Sequence, residues 1–147
     1  MGRGVINTDL NTVFDMTPWN YKNKPLTNIP EGAYGFVYLI ENKSNNKKYI
    51  GKKLFWFTKT KQVNKKKKRI KFESDWKDYW SSSPDVHKDV ELFGKDNFNR
   101  TILHICSNKG SCNYLEAREQ MDRRVLETEE YYNGTIQCRI HKSHVKI

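Results

Sequence analysis

Residues 34–52 read YGFVYLIENKSNNKKYIGK. An aromatic and β-branched run, 34–40, leads into Lys43, Ser44, Asn45, Asn46 and Lys47, and a second extended run follows at 48–52. Short polar side chains and tolerance of left-handed backbone make such a cluster a turn, so the spacing predicts a β-hairpin. Alternate side chains of a strand share a face, so Tyr38 on one strand and Tyr49 on the other can converge beside Gly51. A glycine there lets another group approach the backbone closely. Strand tyrosines are also ordinary packing residues, and spacing alone leaves both readings open.

Upstream, residues 1–30 carry Pro18, Pro25 and Pro30 with many Asn and Thr and little periodicity, which predicts an extended N-terminal arm pinned by Trp19 and Tyr21. Downstream, 54–57 and 65–72 form a second pair of extended segments, and Lys65, Lys66, Lys67, Lys68 and Arg69 make a cation block too dense to bury. Ser83, Pro84 and Asp85 read as the start of a helix that Gly94 stops, with Val86, Val90 and Phe93 on one stripe. Segment 98–105 alternates as a third strand. A longer helix is expected over 113–127, capped by Asn113 with Glu116, its buried stripe formed by Tyr114, Ala117, Met121 and Val125 and widened by Leu115 and Leu126. The expected fold is a small α+β domain over 31–135, a three-stranded mainly antiparallel sheet flanked by helices, with a basic insertion at 54–72 and a tail at 136–147.

The chain's 147 residues and 17.5 kDa suit one domain, and a net charge of +10 calls for a polyanionic partner. With 36% hydrophobic and 13% aromatic residues, wholesale disorder is excluded. No apolar run approaches the roughly 18 residues of a membrane span, and no signal-peptide core opens the chain. Three cysteines fit a reducing compartment, so a cytoplasmic location is expected. Cys106, Cys112, Cys138 and His141 could chelate zinc, although the five residues between the first two make a loose pair; buried free thiols are the alternative.

The segment FVYLI at 36–40 followed by YIGK at 49–52 resembles the paired signature of the GIY-YIG nuclease family. Segment 98–105 is similar to the family's third strand, and LEAREQ at 115–120 to the helix that bears its single catalytic glutamate. With the basic stretch before it, ESDWKDYWSS at 73–82 resembles the phage freestanding homing endonucleases of the Seg type. The resemblance covers residues 34–135. It implies a metal-dependent DNA endonuclease that leaves 5′-phosphate and 3′-hydroxyl ends, acting in the host cytoplasm if phage-encoded. Tyr38 and Tyr49 match the motif tyrosines, one of which takes the proton from the attacking water; Gly51 matches the motif glycine, Lys52 a cation for the scissile phosphate, and Glu119 the metal ligand. One carboxylate with waters and phosphate oxygens suits Mg²⁺ or Mn²⁺. Tyr79 matches a later motif position, but Asp75 stands where members usually carry arginine, leaving Lys77, Arg69 or Lys71 to replace that cation.

A helical wheel of 100° per residue also favours Glu119: it falls about 20° from Leu126 and about 40° from Leu115, at the rim of the apolar stripe, whereas Glu116 points further into solvent. Lys53, Lys65, Lys66, Lys67, Lys68, Arg69, Lys71 and Lys77 form the expected nucleic-acid-binding set, anchored by Phe55, Trp56 and Phe57. A solubilising loop, a non-catalytic basic nucleic-acid-binding protein and an RNA-directed role are the competing readings. One active site cuts one strand at a time, so a double-strand break requires sequential nicks or a homo-oligomer.

Overall fold

Across residues 17–147, which the computed structural model describes, the chain order is β1 (Trp19–Tyr21), β2 (Lys24–Pro25), β3 (Gly35–Asn42), β4 (Lys47–Leu54), β5 (Trp56–Val63), β6 (Lys66–Glu73), α1 (Pro84–Phe93), β7 (Phe98–Cys106) and α2 (Lys109–Asp122). One sheet has the order β2-β1-β7-β3-β4, and β5 and β6 pair only with each other. The hairpin of β3 and β4 keeps unbroken antiparallel register from Gly35↔Leu54 to Asn42↔Lys47. Its turn is built by asparagines: Ser44 N donates to Asn42 Oδ1 at 2.9 Å, Lys47 N to Asn45 Oδ1 at 2.9 Å, and Asn46 takes a φ of 62°.

The sheet has five strands where three were expected. Residues 19–21 pair in parallel with β7, Trp19 opposite Arg100, then turn back through Lys22 and Asn23 into β2. Part of the expected arm is thus a sheet edge; residues 1–16 of it lie outside the described residues. A three-residue strand is too short to display a period of two, and tertiary contacts hold it. Trp19 is buried, its indole N–H donating to the Trp76 carbonyl at 2.6 Å.

Each face of the sheet carries a core. Phe36, Tyr38 and Ile40 pack with Trp19, Phe55, Trp76, Trp80, Val86 and Phe98 on one side. On the other, Val37, Leu39 and Ile50 pack with Cys106, Cys112, Leu115 and Val125. The buried Arg100 side chain joins the first core to its loops: Nε donates to the Thr17 carbonyl at 3.1 Å and Nη1 to the Tyr79 carbonyl at 2.9 Å. Its guanidinium lies 4.7 Å from the Trp19 ring and 4.4 Å from the Trp80 ring, so cation–π attraction adds to the hydrogen bonds.

Ser83 Oγ accepts from Val86 N at 3.3 Å at the start of α1, and Gly94 (φ 88°) follows its end. The second helix departs from the expected 113–127. Asn108 is its cap, accepting from Ser111 N at 2.9 Å, and Arg124 at φ 51° takes residues 125–127 into a separate 3₁₀ turn. Val125 is buried, but Met121 and Leu126 are 51% and 53% exposed, so the expected stripe is cut short.

The β5–β6 ribbon runs from Trp56↔Glu73 to Val63↔Lys66, and every residue but Trp56 is exposed. Its two-residue loop, Asn64 and Lys65, has φ of 51° and 63°, the positive pair that a type I′ turn requires. Lysine in that region costs about 1 kcal/mol that glycine does not. Lys65→Gly is therefore expected to slow amide exchange across the ribbon by about fivefold; faster exchange there would contradict this turn geometry.

Candidate active site

The edge strand β4 borders a cavity of about 270 Å³, lined by Tyr38, Tyr49, Gly51, Lys52, Ser82 and Glu116, with Gln120, Thr135 and Gln137 closing it. Tyr38 sits opposite Gly51 in the register, and its phenol lies across the glycine. A Cβ on residue 51 would stand 2.6 Å from Tyr38 Cζ and 3.0 Å from Tyr49 Cε2, closer still to the Tyr38 hydroxyl. Glycine is needed here for close approach, since only its missing side chain leaves room for two rings.

Tyr38 is 1% exposed, with ring centroids of Tyr49 at 6.2 Å and Tyr79 at 6.0 Å. Burial, and after it the neighbouring phenols of Tyr79 and Tyr49, hold the Tyr38 hydroxyl well above the usual phenol range. Burial also raises Tyr79, opposed by side-chain hydrogen bonds to Tyr38 and Ser82. Tyr38 is therefore a neutral phenol at ordinary pH, suited to donate or accept a hydrogen bond.

The carboxylate at this cavity is Glu116, and Glu119 lies elsewhere. Lys52 Nζ donates to Glu116 Oε1 at 3.2 Å. Burial pushes the Glu116 carboxyl above its ordinary range, against the opposing pull of Lys52. Glu119 is engaged towards β7, with Oε2 2.6 Å from His104 Nε2 and Oε1 accepting from Arg123 Nε at 3.0 Å. Burial tends to raise Glu119, but hydrogen bonds to His104 and Arg123 outweigh it and leave the carboxyl lowered. The helical wheel misplaced Glu116 because Leu126, one of its two references, lies beyond the end of α2. Both side chains lie on the sheet side of α2, 16% and 19% exposed, so the expected solvent-facing Glu116 is corrected. Strand order separates them: Lys52 on β4 meets one, and His104 on β7 the other.

The cation beside Tyr79 is Lys53. Its Nζ lies 4.1 Å from the Tyr79 ring centroid and donates to Asp75 Oδ1 at 2.6 Å. The Lys53 side chain is 10% exposed, and its hydrogen bond lowers the Asp75 carboxyl. None of the three replacement candidates stands there: Lys77 lies over Trp76, Lys71 over Trp56, and Arg69 donates to Thr58 on the ribbon. Lys65, Lys66, Lys67 and Lys68 are at the ribbon's far end, all exposed.

Asn133, which no sequence signal marked, and Gln120, the last residue of LEAREQ, fix β4 at its motif. Asn133 Oδ1 accepts from Ile50 N at 3.0 Å, while Asn133 Nδ2 and Gln120 Nε2 donate to the Ile50 carbonyl at 2.8 and 3.1 Å. These bonds satisfy an edge-strand peptide that would otherwise face solvent and hold Tyr49 and Gly51 on either side of it. The zinc candidates do not gather: Cys106 and Cys112 are buried, Cys138 is exposed, and among the described residues no three His, Cys, Asp or Glu side chains cluster. A hydrogen bond to Cys106, then burial, keeps the Cys112 thiol protonated.

Two tyrosines, a lysine and a half-buried carboxylate thus surround one glycine at a sheet edge, and comparison with known families supplies the class of the chain. The family model described as "Putative endonuclease segE, GIY-YIG domain" matches residues 19–136. The chain belongs to this GIY-YIG endonuclease family, whose members hydrolyse phosphodiester bonds and are generally dependent on a divalent metal. Comparisons with curated proteins and with solved structures gave no match. Among the described residues, no helix is long and apolar enough to cross a membrane.

The Tyr38–Gly51 approach predicts a coupled pair. Gly51→Ala is expected to destabilise the protein by about 1–3 kcal/mol through overpacking. In a Tyr38→Phe background, which removes the nearest clashing atom, denaturant unfolding should recover part of that loss; strictly additive effects would show that the two residues do not press on each other.

Proposed function

We propose that the chain is a metal-dependent DNA endonuclease of the phage homing type, with Glu116 as its carboxylate ligand. The observation carrying this reading is the convergence of Glu116, Lys52, Tyr38 and Tyr49 on one cavity. A cavity with a single carboxylate, and no cluster of three ligating side chains among the described residues, fits an ion that keeps most of its water, as Mg²⁺ or Mn²⁺ does. When bound, such an ion would neutralise charge on the scissile phosphate.

Each residue then has a task set by its surroundings. Glu116, ionised, would hold the cation, and the ammonium of Lys52, 3.2 Å from Glu116 Oε1, would lie beside the phosphate oxygens. Tyr38, kept neutral, orients the attacking water, and the more exposed Tyr49 faces it across Gly51. Lys53 against the Tyr79 ring takes the place of the family's usual arginine, holding positive charge beside the tyrosines. The exposed cations at 59–71 grip DNA phosphates, with Lys77 nearby. A pure phosphate binder gains nothing from the carboxylate in its cavity, which argues against a non-catalytic role. One cavity nicks one strand, so a double-strand break takes two events or two copies.

With supercoiled plasmid and Mg²⁺ or Mn²⁺, the wild type is expected to nick, Glu116→Gln to fall by at least roughly 10²-fold, and Tyr38→Phe and Tyr49→Phe to fall measurably. Glu119→Gln should retain cleavage. Nicking that survives Glu116→Gln but is lost in Glu119→Gln would overturn the assignment.

The two glutamates also differ in the pH dependence of stability. A raised carboxyl binds its proton more tightly in the folded state, so Glu116 stabilises below its ordinary value of 4.5, and that contribution is lost as pH rises through the raised value. Glu119 is lowered, so its contribution is present at neutral pH and lost on acidification. Thermal melts at pH 7 should show Glu116→Gln at or above the wild-type Tm and Glu119→Gln below it; the reverse order would contradict these electrostatics.

A further inference from the structure

The β5–β6 ribbon has two faces of different chemistry. Opposed residues of an antiparallel pair share a face, so the register puts Thr58 with Lys71, Thr60 with Arg69 and Gln62 with Lys67 on one side. The other side pairs Phe57 with Phe72, Lys59 with Ile70, Lys61 with Lys68 and Val63 with Lys66. Phe57, on that second face, stands 4.8 Å from the Lys53 ammonium beside Tyr79, which ties the base of the ribbon to the candidate active site. An open groove of about 850 Å³ between the ribbon base and residues 29–34 is lined by Trp56, Thr58, Arg69 and Lys71 of the first face and by Phe57 and Phe72 of the second.

Phosphate contacts need only cations, and these serve equally well on either face. The first face is instead a double row of hydroxyl, amide, guanidinium and ammonium groups, with Trp56 and Glu73 paired at its base. These are the groups that read base edges: Arg or Lys bonds guanine O6 and N7, Gln bonds adenine N6 and N7, and Thr bonds either or meets the thymine methyl. Arg69 is already oriented there, donating from Nη2 to Thr58 Oγ1 at 3.2 Å. The major groove, about 12 Å wide, admits a two-stranded ribbon. Eight Lys and Arg against one acid, Glu73, over residues 56–73 supply charge complementarity to the phosphates that wall it. Lysines of the second face have stems long enough to reach back to those phosphates.

We propose that this ribbon is the element that reads sequence, lying in the major groove of duplex DNA with Thr58, Thr60, Gln62, Lys67 and Arg69 towards the base edges. The assignment rests on the reading above, that duplex DNA is the substrate of the adjoining cavity. Eight residues at about 3.3 Å each span roughly 26 Å, or about eight base-pair steps. The ribbon starts from the end of β4, so the bases it reads lie on one side of the cut, within about one helical turn.

The test is selection from a random duplex library by the full chain carrying Glu116→Gln, which removes cutting. A motif of a few base pairs should be enriched, with single mismatches weakening binding about 5- to 150-fold. Adding Thr58→Val, Thr60→Val and Gln62→Ala keeps good strand formers at both threonine sites and removes no charge. That variant should lose the motif while the salt dependence of binding keeps its slope, because every phosphate-gripping cation remains. Amide exchange confirms that the ribbon still pairs. An unchanged motif in the variant, or no motif with Glu116→Gln alone, overturns the proposal. Plasmid cleavage by the wild type separates the two readings: a ribbon-dependent motif without cleavage removes the nuclease assignment and leaves the ribbon's, whereas cleavage without a motif removes the ribbon's alone.

Discussion

The phenol of Tyr38 lying across Gly51 is the contact on which both core and candidate site depend. Its ring is part of the first core, 5.1 Å from Trp19 and 6.1 Å from Phe36, while its hydroxyl end reaches the cavity. A side chain at residue 51 would drive the ring out of both places at once. Close packing transmits such a displacement rather than absorbing it, because the interior has few voids. The aromatic core therefore acts as the mounting for the cavity's polar atoms.

Arg100 extends that mounting to the loops. By bonding the carbonyls of Thr17 and Tyr79 and stacking between Trp19 and Trp80, it holds the N-terminal strand and the Tyr79 turn against the same sheet face. Tyr79 in turn sets the position of Lys53, and Lys53 the start of the ribbon. Edge and interior thus divide the work. Interior strands carry the rings, and the edge strand β4 exposes Lys52 to α2, its free peptide closed by Asn133 and Gln120.

The electrostatics separate groups that hold the fold from groups held in tension by it. Glu119 is lowered by its partners on both sides, His104 and Arg123. Glu116 is raised by burial despite Lys52, so its ionised form is a cost that the fold carries. Costly groups of this kind concentrate where chemistry is done, and a cation arriving there relieves the cost.

Local signals were enough for the central hairpin, α1 and the third antiparallel strand, because alternation, asparagine turns and the Ser83-Pro84 start act within a few residues. The same locality exposed the two tyrosines, Gly51 and the ribbon's charge. Strand order was beyond its reach: β1 is three residues whose partners lie about eighty positions away, and neither Asn133 nor Arg100 belongs to a local pattern. The solvent-facing placement expected for Glu116 failed for the same cause, since a helical wheel describes one helix and cannot know that α2 ends at Asp122 or which strand lies beneath each turn. By itself the amino-acid sequence determined that a tyrosine pair converges beside a glycine on the central hairpin. Only the tertiary structure decided which carboxylate and which lysine stand next to them, because that depends on the order in which distant strands lie side by side.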